Sequence, residues 1–435
     1  MLPKVLIIGQ PFNNYTGGGI TLTNLFNGWD RDKLAVACPG DGLNNLNLHI
    51  CNNYYQLGEK EKKWVFPFNF LQRKFKSGEL NLNDTQTNFT VQKHLSIRKI
   101  LVDYFFFPFL RYIGLFHTVS KTELSDSFSK WLSSFKPDIL YIQVAKREDI
   151  LFSQNLQSYL KIPMIIHNMD DWPSIISANG FLKKYWHQKI DKEFRELIDQ
   201  ASLLMSISED MAAEYKRRYG RTFLPFHNSI NISFWKEYQK NNYELNNPPT
   251  ILYAGRIGMG INSSLKLIAK AIKNINKELG LKIKFILQTK EKSKWFDNYD
   301  CVVHKPFIPY SDLPKTFSEA DLLILPYDFS KESIKFIQYS MPTKVPEYMI
   351  SGTPIIIFAP RRTAIVSYAK KFEWAIPVTD SNSSELAKTI KFIIQNKTVR
   401  ETISTNAKQF AEANHNTLIV NLKFREAICK VVKNS

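Results

Sequence analysis

The sequence predicts an α/β protein built on two open, mostly parallel sheets, and three features of its 435 residues point there. Short, almost unbroken apolar runs recur, among them Val5–Ile8, Pro137–Val144, Pro163–His167, Leu203–Ser206, Thr250–Ala254, Leu322–Leu325 and Ile355–Phe358. Strands apolar on both faces belong in a sheet covered on both sides. Between the runs lie helical repeats, as in Leu265, Ile268, Ile272, Ile275 and Leu279, whose 3-4-3-4 spacing lays one apolar face on a sheet. The length exceeds what one typical domain needs.

Composition narrows the class. With 44% hydrophobic and 23% charged residues the chain is globular. Lys plus Arg number 58 against 40 Asp plus Glu, a net charge of +18, so the favoured partner surface is anionic, although many basic proteins simply carry a solvated basic face. No RNP-like, zinc-finger or basic-zipper pattern is present, so a lipid or phosphate partner is expected and nucleic acid is not. Four dispersed cysteines, Cys38, Cys51, Cys301 and Cys429, suit neither a disulfide framework nor a zinc site and fit a reducing, cytoplasmic setting. The opening MLPKVLIIGQ reads as a first strand rather than a signal peptide. Ile100–Phe116, the most apolar stretch, is interrupted by Asp103, Pro108 and Arg111 and is no clean membrane span.

From the N-terminus, a strand Lys4–Gly9 runs into a polar loop, Gln10–Gly19, whose Gly17, Gly18 and Gly19 precede a helix expected from about Thr21. Strand, glycine loop and helix in that order make a phosphate cradle, because the backbone can approach a ligand and the helix start offers free N–H groups. The spacing is neither G-x-G-x-x-G nor a Walker loop, and a flexible turn is the alternative. Residues 40–130 are hard to read: strand-like and aromatic-basic pieces alternate, including Trp64–Phe70, Arg73–Lys76 and Ile97–Phe116.

The run PMIIH then ends in HNMDDW, which places His167, Asn168, Asp170 and Asp171 at the mouth of a sheet, where α/β ligands bind. His167 is either a ligand contact or a structural histidine. Asp170 and Asp171, being adjacent, diverge too far for a metal pair and read as a helix cap or as acceptor contacts. A helix Trp186–Ile198 and another starting at Ser208 with Asp210 and Met211 follow.

Polar residues ending in Pro248-Pro249 mark a linker. Residues 1–238 are therefore expected to form the first domain, 239–249 the linker, 250–411 the second domain and 412–435 a terminal helix. After Thr250–Ala254 comes GRIGMGINSS with Arg256; then a strand Lys282–Leu287, a loop Pro306–Pro309, a helix Ser384–Gln395, and one long helix from about Arg400 to Lys433.

The chemistry concentrates in Tyr339–Phe358, YSMPTKVPEYMISGTPIIIF. Thr343 is placed to cap a short helix, Pro346 falls in its first turn, and Gly352 followed by Pro354 ends it. Lys344 and Glu347, three apart, share a face just beyond the strand Leu322–Leu325. A carboxylate there can grip two vicinal hydroxyls while the cation faces a phosphate, which is what a nucleotide sugar requires; a surface Lys–Glu pair is the alternative.

With ADLLILPY and PTKVPEYMISGTPIIIF the sequence resembles glycosyltransferases of the two-Rossmann-domain GT-B type, and among them the retaining family 4 (glycosyltransferase group 1) enzymes. The resemblance implies two domains facing each other across a cleft, with the terminal helix crossing back to the first. It implies that Glu347 binds the donor ribose, that Arg256 and Lys344 lie at the donor phosphates, that Phe307 or Ile308 frames the nucleobase, and that Asn228 and Thr343 belong to the donor site. It further implies that His167 contacts the transferred sugar and that Gly17–Gly19 face the diphosphate and acceptor. His167, Arg256 and Lys344 are then the catalytic candidates. Ile261 stands where the family has a phosphate-binding lysine, Tyr339 where it often has a second glutamate, and Ser229 and Asn231 replace its usual Gly and Asp.

The implied activity is hexosyltransferase-like: a glycosyl unit moves, with retention, from a nucleoside diphosphate sugar to a hydroxyl acceptor, such as a lipid-linked or cell-surface glycan precursor of polysaccharide or lipopolysaccharide synthesis. No metal and no further cofactor is implied. A nucleotide-sugar epimerase of the same fold and a non-catalytic scaffold of a polysaccharide machine are the alternatives. Arg98–Phe116, aromatic and basic, is expected either to lie on the inner face of an anionic plasma membrane, with Phe106 and Phe107 among the headgroups, or to be a buried helix.

Overall fold

Among the described residues ten short strands, the central ones rich in Ile, Leu and Val, form the sheets of the first of two compact units, Met1–Phe226 with Asn421–Ser435. The computed structural model describes residues 2–43, 45–80, 101–176, 180–258 and 260–434. The strands are β1 Val5–Ile8, β2 Leu34–Pro39, β3 Tyr54–Leu57, β4 Lys62–Trp64, β5 Gly78–Glu79, β6 Ser120–Thr122, β7 Ile139–Ile142, β8 Met164–Asn168, β9 Leu203–Ser206 and β10 Leu224–Pro225. Eight make a sheet in the order β10-β9-β8-β7-β1-β2-β3-β5, parallel except for β5 at the edge, while β4 and β6 pair antiparallel on their own. Because β1 is flanked by β2 on one side and β7 on the other, the winding reverses there. The chains pass so closely at that point that a Cβ on Gly9, whose φ is +99°, would lie 2.9 Å from the carbonyl oxygen of Gln143.

The second unit, His227–Val420, holds β11 Thr250–Ala254, β12 Lys284–Gln288, β13 Val302–Lys305, β14 Leu322–Pro326, β15 Ile355–Phe358 and β16 Ile376–Val378. All run parallel in the order β13-β12-β11-β14-β15-β16, so this sheet too reverses, between β11 and β14. The helix Asn262–Leu279 buries Leu265, Ile268, Ile272 and Ile275 completely, whereas Leu279, its last residue, is 40% exposed as the helix runs past the core. Residues 239–249 belong to this unit, where Asn246 donates backbone and side-chain hydrogen bonds to Asp321.

Several local expectations change. The glycine helix begins at Gly17, not Thr21, because Thr16 caps it by accepting from the Gly19 amide at 3.1 Å. The terminal helix is two helices, Lys397–Asn414 and Thr417–Lys433. At the break, Ile230 donates to the His415 carbonyl (2.8 Å) and accepts from the Thr417 amide (2.9 Å), so backbone groups a continuous helix would use internally are taken elsewhere. The last of these helices starts in the second unit, and its residues from Asn421 belong to the first. Among the described residues no helix is long and apolar enough to cross a membrane. Arg98 and Lys99 lie outside the described residues. Phe106 and Phe107 turn inward rather than toward solvent: Phe106 packs on Trp64 and Phe68, and Phe107 on Trp64 and Phe116.

Candidate active site

The short helix Val345–Ser351 is entirely buried, with Pro346 in its first turn and Gly352 (φ +74°) as its left-handed end. Its start differs from the sequence expectation: Lys344 occupies the N-cap position, with no side-chain cap bond, and Thr343 lies one residue outside. Lys344 is thus free to reach across to the carboxyl end of β11. Its ammonium donates to the carbonyl oxygen of Ala254, the last residue of that strand, and lies 4.5 Å from the centroid of the Tyr253 ring. A Cβ on Gly255 would collide with the Lys344 nitrogen and come within 2.8 Å of the Tyr253 hydroxyl, so the residue after β11 is glycine for want of space.

Arg256 follows directly. Its side chain is exposed, and its carbonyl oxygen accepts from the Tyr253 hydroxyl at 2.6 Å. Tyr253 therefore fixes the turn carrying Arg256 at one end and supports Lys344 with its ring. Two cations meet at the end of the strand where the sheet order reverses, the position at which open α/β sheets bind ligands. Burial lowers the Lys344 ammonium to about 8, Glu347 nearby opposes the fall, and Arg256 adds to it.

Glu347 is 6% exposed. Burial raises its carboxyl to about 7, opposed by the Tyr310 hydroxyl and by Lys344. A buried carboxylate with this much cost to its charge is poised to be stabilised by hydroxyl donors from a ligand. Tyr310 opens a turn after the loop carrying exposed Phe307 and half-buried Ile308, and its ring stacks on Phe234 at 5.6 Å. Asn228 joins the same region by donating from Nδ2 to the Thr343 carbonyl at 2.8 Å, while its own carbonyl faces His415 Nδ1 at 3.2 Å. Ile261 is half-buried against the core of this unit, so the position that could have held a lysine is apolar packing.

The structure thus gathers Asn228, Arg256, Thr343, Lys344 and Glu347 in the second unit. Sequence reasoning missed Tyr253 and Tyr310. Tyr253 is hidden as one apolar strand position among five; Tyr310 had a signal, standing directly after the Pro306–Pro309 loop.

In the first unit His167 is fully buried, its Nδ1 bonded to the Tyr141 hydroxyl and its Nε2 without a protein partner; burial lowers it to about 3, so it is neutral. Asp171 is 2% exposed and its oxygens receive the Arg218 guanidinium (2.9 and 3.0 Å), the Tyr215 hydroxyl (3.0 Å) and the Ser174 hydroxyl (2.7 Å). That carboxylate holds the chain after β8 in place; Asp170 beside it is exposed. Of Gly17, Gly18 and Gly19, the last has its amide committed to Thr16. Nearby, Asn14, Tyr15, Asn47 and His49 line a surface groove. Among the described residues no three His, Cys, Asp or Glu side chains converge as metal ligands.

Residues 248–396 match the family model described as glycosyl transferases group 1. No curated protein matches the chain. Among solved structures, sucrose-phosphate synthase from Thermosynechococcus elongatus superposes with TM-score 0.63 at 11% identity, covering 99% of both chains. A glycosyltransferase from Rickettsia africae gives 0.62 at 11%, covering 100% of both. Anabaena HepE, solved with UDP, gives 0.59 at 14%, covering 98% of this chain and 100% of its own. At such identities the likeness is one of fold: two Rossmann-like units in the GT-B class. The match to the glycosyl transferases group 1 model lies within the second unit.

Proposed function

We propose that the chain transfers a glycosyl unit from a nucleoside diphosphate sugar, held by the second unit, to a hydroxyl acceptor. The observation that carries the reading is the placement of Lys344 against Ala254 and beside Arg256, two cations at the carboxyl end of β11, with the buried carboxyl of Glu347 on the same short helix. Arg256 offers a planar fork to phosphate oxygens, and Lys344 keeps donors beyond the one aimed at Ala254. Glu347 takes the two ribose hydroxyls, and the loop carrying Phe307 and Ile308 borders the base. Support for a diphosphate-linked ligand comes also from HepE, whose solved form holds UDP.

As the bond to the sugar breaks, negative charge grows on the departing diphosphate. Arg256 and Lys344 stabilise it, Lys344 from a position already held against Ala254 and the Tyr253 ring, and Arg256 from a turn anchored through its carbonyl. An acceptor hydroxyl then adds from the face the diphosphate left, with retention, its proton passing to an oxygen of the departing diphosphate. Asn14, Tyr15, Asn47 and His49 offer the acceptor glycan amides, an imidazole and an aromatic ring, and a lipid-linked or cell-surface precursor is the class we assign. The two cations do the work of a metal in this reading, so activity should persist in EDTA.

A non-catalytic binding role is the second reading, favoured by the apolar packing of Ile261 and by Tyr339 at a frequent glutamate position. Thermal-shift titration with UDP-, GDP-, ADP- and CMP-sugars, followed by mass spectrometry for donor cleavage, separates the two. Stabilisation by one donor with its slow hydrolysis in the absence of acceptor supports the transferase; stabilisation with no cleavage or transfer supports the binder; no stabilisation by any donor overturns both.

A further inference from the structure

The helical stretch Leu101–Ile113 presents its aromatic side to solvent. Leu101, Tyr104, Phe105, Phe109 and Tyr112 are 54, 73, 66, 59 and 69% exposed, and their spacing of three, one, four and three traces one helical face. The opposite side supplies the anchoring contacts: Val102 and Leu110 are buried, and Phe106 and Phe107 pack on Trp64, Phe68 and Phe116. A surface helix normally turns its polar side to water; here the outward side is the more aromatic one.

Two further segments extend the patch. Phe66 and Phe70, 78 and 79% exposed, sit on the turn that packs under the helix through Phe68. Phe181, 84% exposed, donates its amide to the Tyr112 carbonyl at 2.7 Å, and Tyr185, 52% exposed, follows one turn later. Together residues 62–75, 101–121 and 180–189 contain nine lysines and arginines and a single acidic residue, Asp103; Lys62, Lys63, Lys121 and Lys189 pair with Glu148, Glu123 and Glu193, and Arg73, Lys74, Arg111, Lys183 and Lys184 make up the basic flank.

We infer that the first unit docks on an anionic phospholipid bilayer through this face, its outward rings among the headgroups and its flanking cations on acidic lipid. The helical stretch of 13 residues spans about 20 Å, less than the roughly 30 Å of a hydrocarbon core, so it lies on the membrane. Charge decides against a second copy of the chain as occupant: a two-fold interface would set this basic patch against itself, whereas an acidic bilayer complements it, and each nearby cation adds to the attraction. The inference does not depend on the proposed reaction, because vesicle binding is measured without nucleotide.

The test uses the full chain in flotation with phosphatidylcholine vesicles, with and without phosphatidylglycerol, at low and high salt. Binding is expected to require phosphatidylglycerol and to weaken with salt. Phe105→Ser/Phe109→Ser should reduce it about tenfold or more at unchanged melting temperature. Lys183→Glu/Lys184→Glu, which touches no buried packing, should reduce it by a similar factor and keeps the test decisive should the first variant unfold. Absence of binding at low salt, binding indifferent to both variants, or a dimer that the aromatic substitutions split into monomers would overturn it.

Discussion

The ammonium of Lys344 donates to the carbonyl oxygen of Ala254, which ties the start of the helix Val345–Ser351 to the end of β11. This one contact brings a cation from a helix of the later half of the sheet to the strand end that carries Arg256.

Donor affinity should follow a bell in pH with its maximum between about 7 and 8. Glu347 sits above its ordinary value, at about 7, so below that pH the empty site holds a proton that a ribose-binding carboxylate must release. Lys344 sits below its ordinary value, at about 8, so above that pH the phosphate loses a cation. Each limb should approach tenfold per pH unit. Calorimetric titration across pH checks this, and Glu347→Gln should abolish the acid limb alone.

Arg256→Ala should weaken a nucleoside diphosphate by about tenfold or more and the bare nucleoside hardly at all, since the guanidinium is assigned to phosphate. Turnover should fall further than ground-state binding, because charge grows on the leaving group. Equal losses for nucleoside and diphosphate would remove Arg256 from the phosphate site.

Arg218→Ala should destabilise the first unit by about 3 kcal/mol, by leaving Asp171 charged, buried and short of its guanidinium. Denaturant unfolding measures the loss. Donor affinity should stay within twofold, because this network lies in the first unit.

His167 should make the protein acid-sensitive. Its folded value of about 3 is far below the ordinary one, so the unfolded chain takes up a proton first as pH falls from 6.5, and stability is lost down to about pH 3. Unfolding free energy in His167→Gln should decline less steeply over that window, by about 1.4 kcal/mol per pH unit.

Much of this was legible in the chain. β15 and β11 show as unbroken apolar runs, and Pro346 and Gly352 bracket their helix because proline tolerates a helix start and glycine a left-handed end. Arg256 and Glu347 stand out as the charged residues beside such runs. The Lys344–Ala254 bond was not legible, because it joins residues 90 apart through a backbone oxygen common to all residues. Nor could residues 101–113 be phased: with aromatics on every side no polar stripe marks the outer face, and Phe106 and Phe107 went inward on contacts with Trp64 and Phe68 from a distant strand and turn. Asp171 resembled a ligand at a strand end until Arg218, 47 residues on, claimed it.

The most direct test of the account is donor affinity by calorimetry for wild type and Glu347→Ala, using whichever UDP-, GDP-, ADP- or CMP-sugar stabilises the protein most. The lost charged hydrogen bonds to two ribose hydroxyls should cost about 1.5–3 kcal/mol, a weakening of roughly 10- to 150-fold. An affinity within twofold of wild type, in a variant that melts normally, would contradict the assignment of this site to the nucleotide sugar.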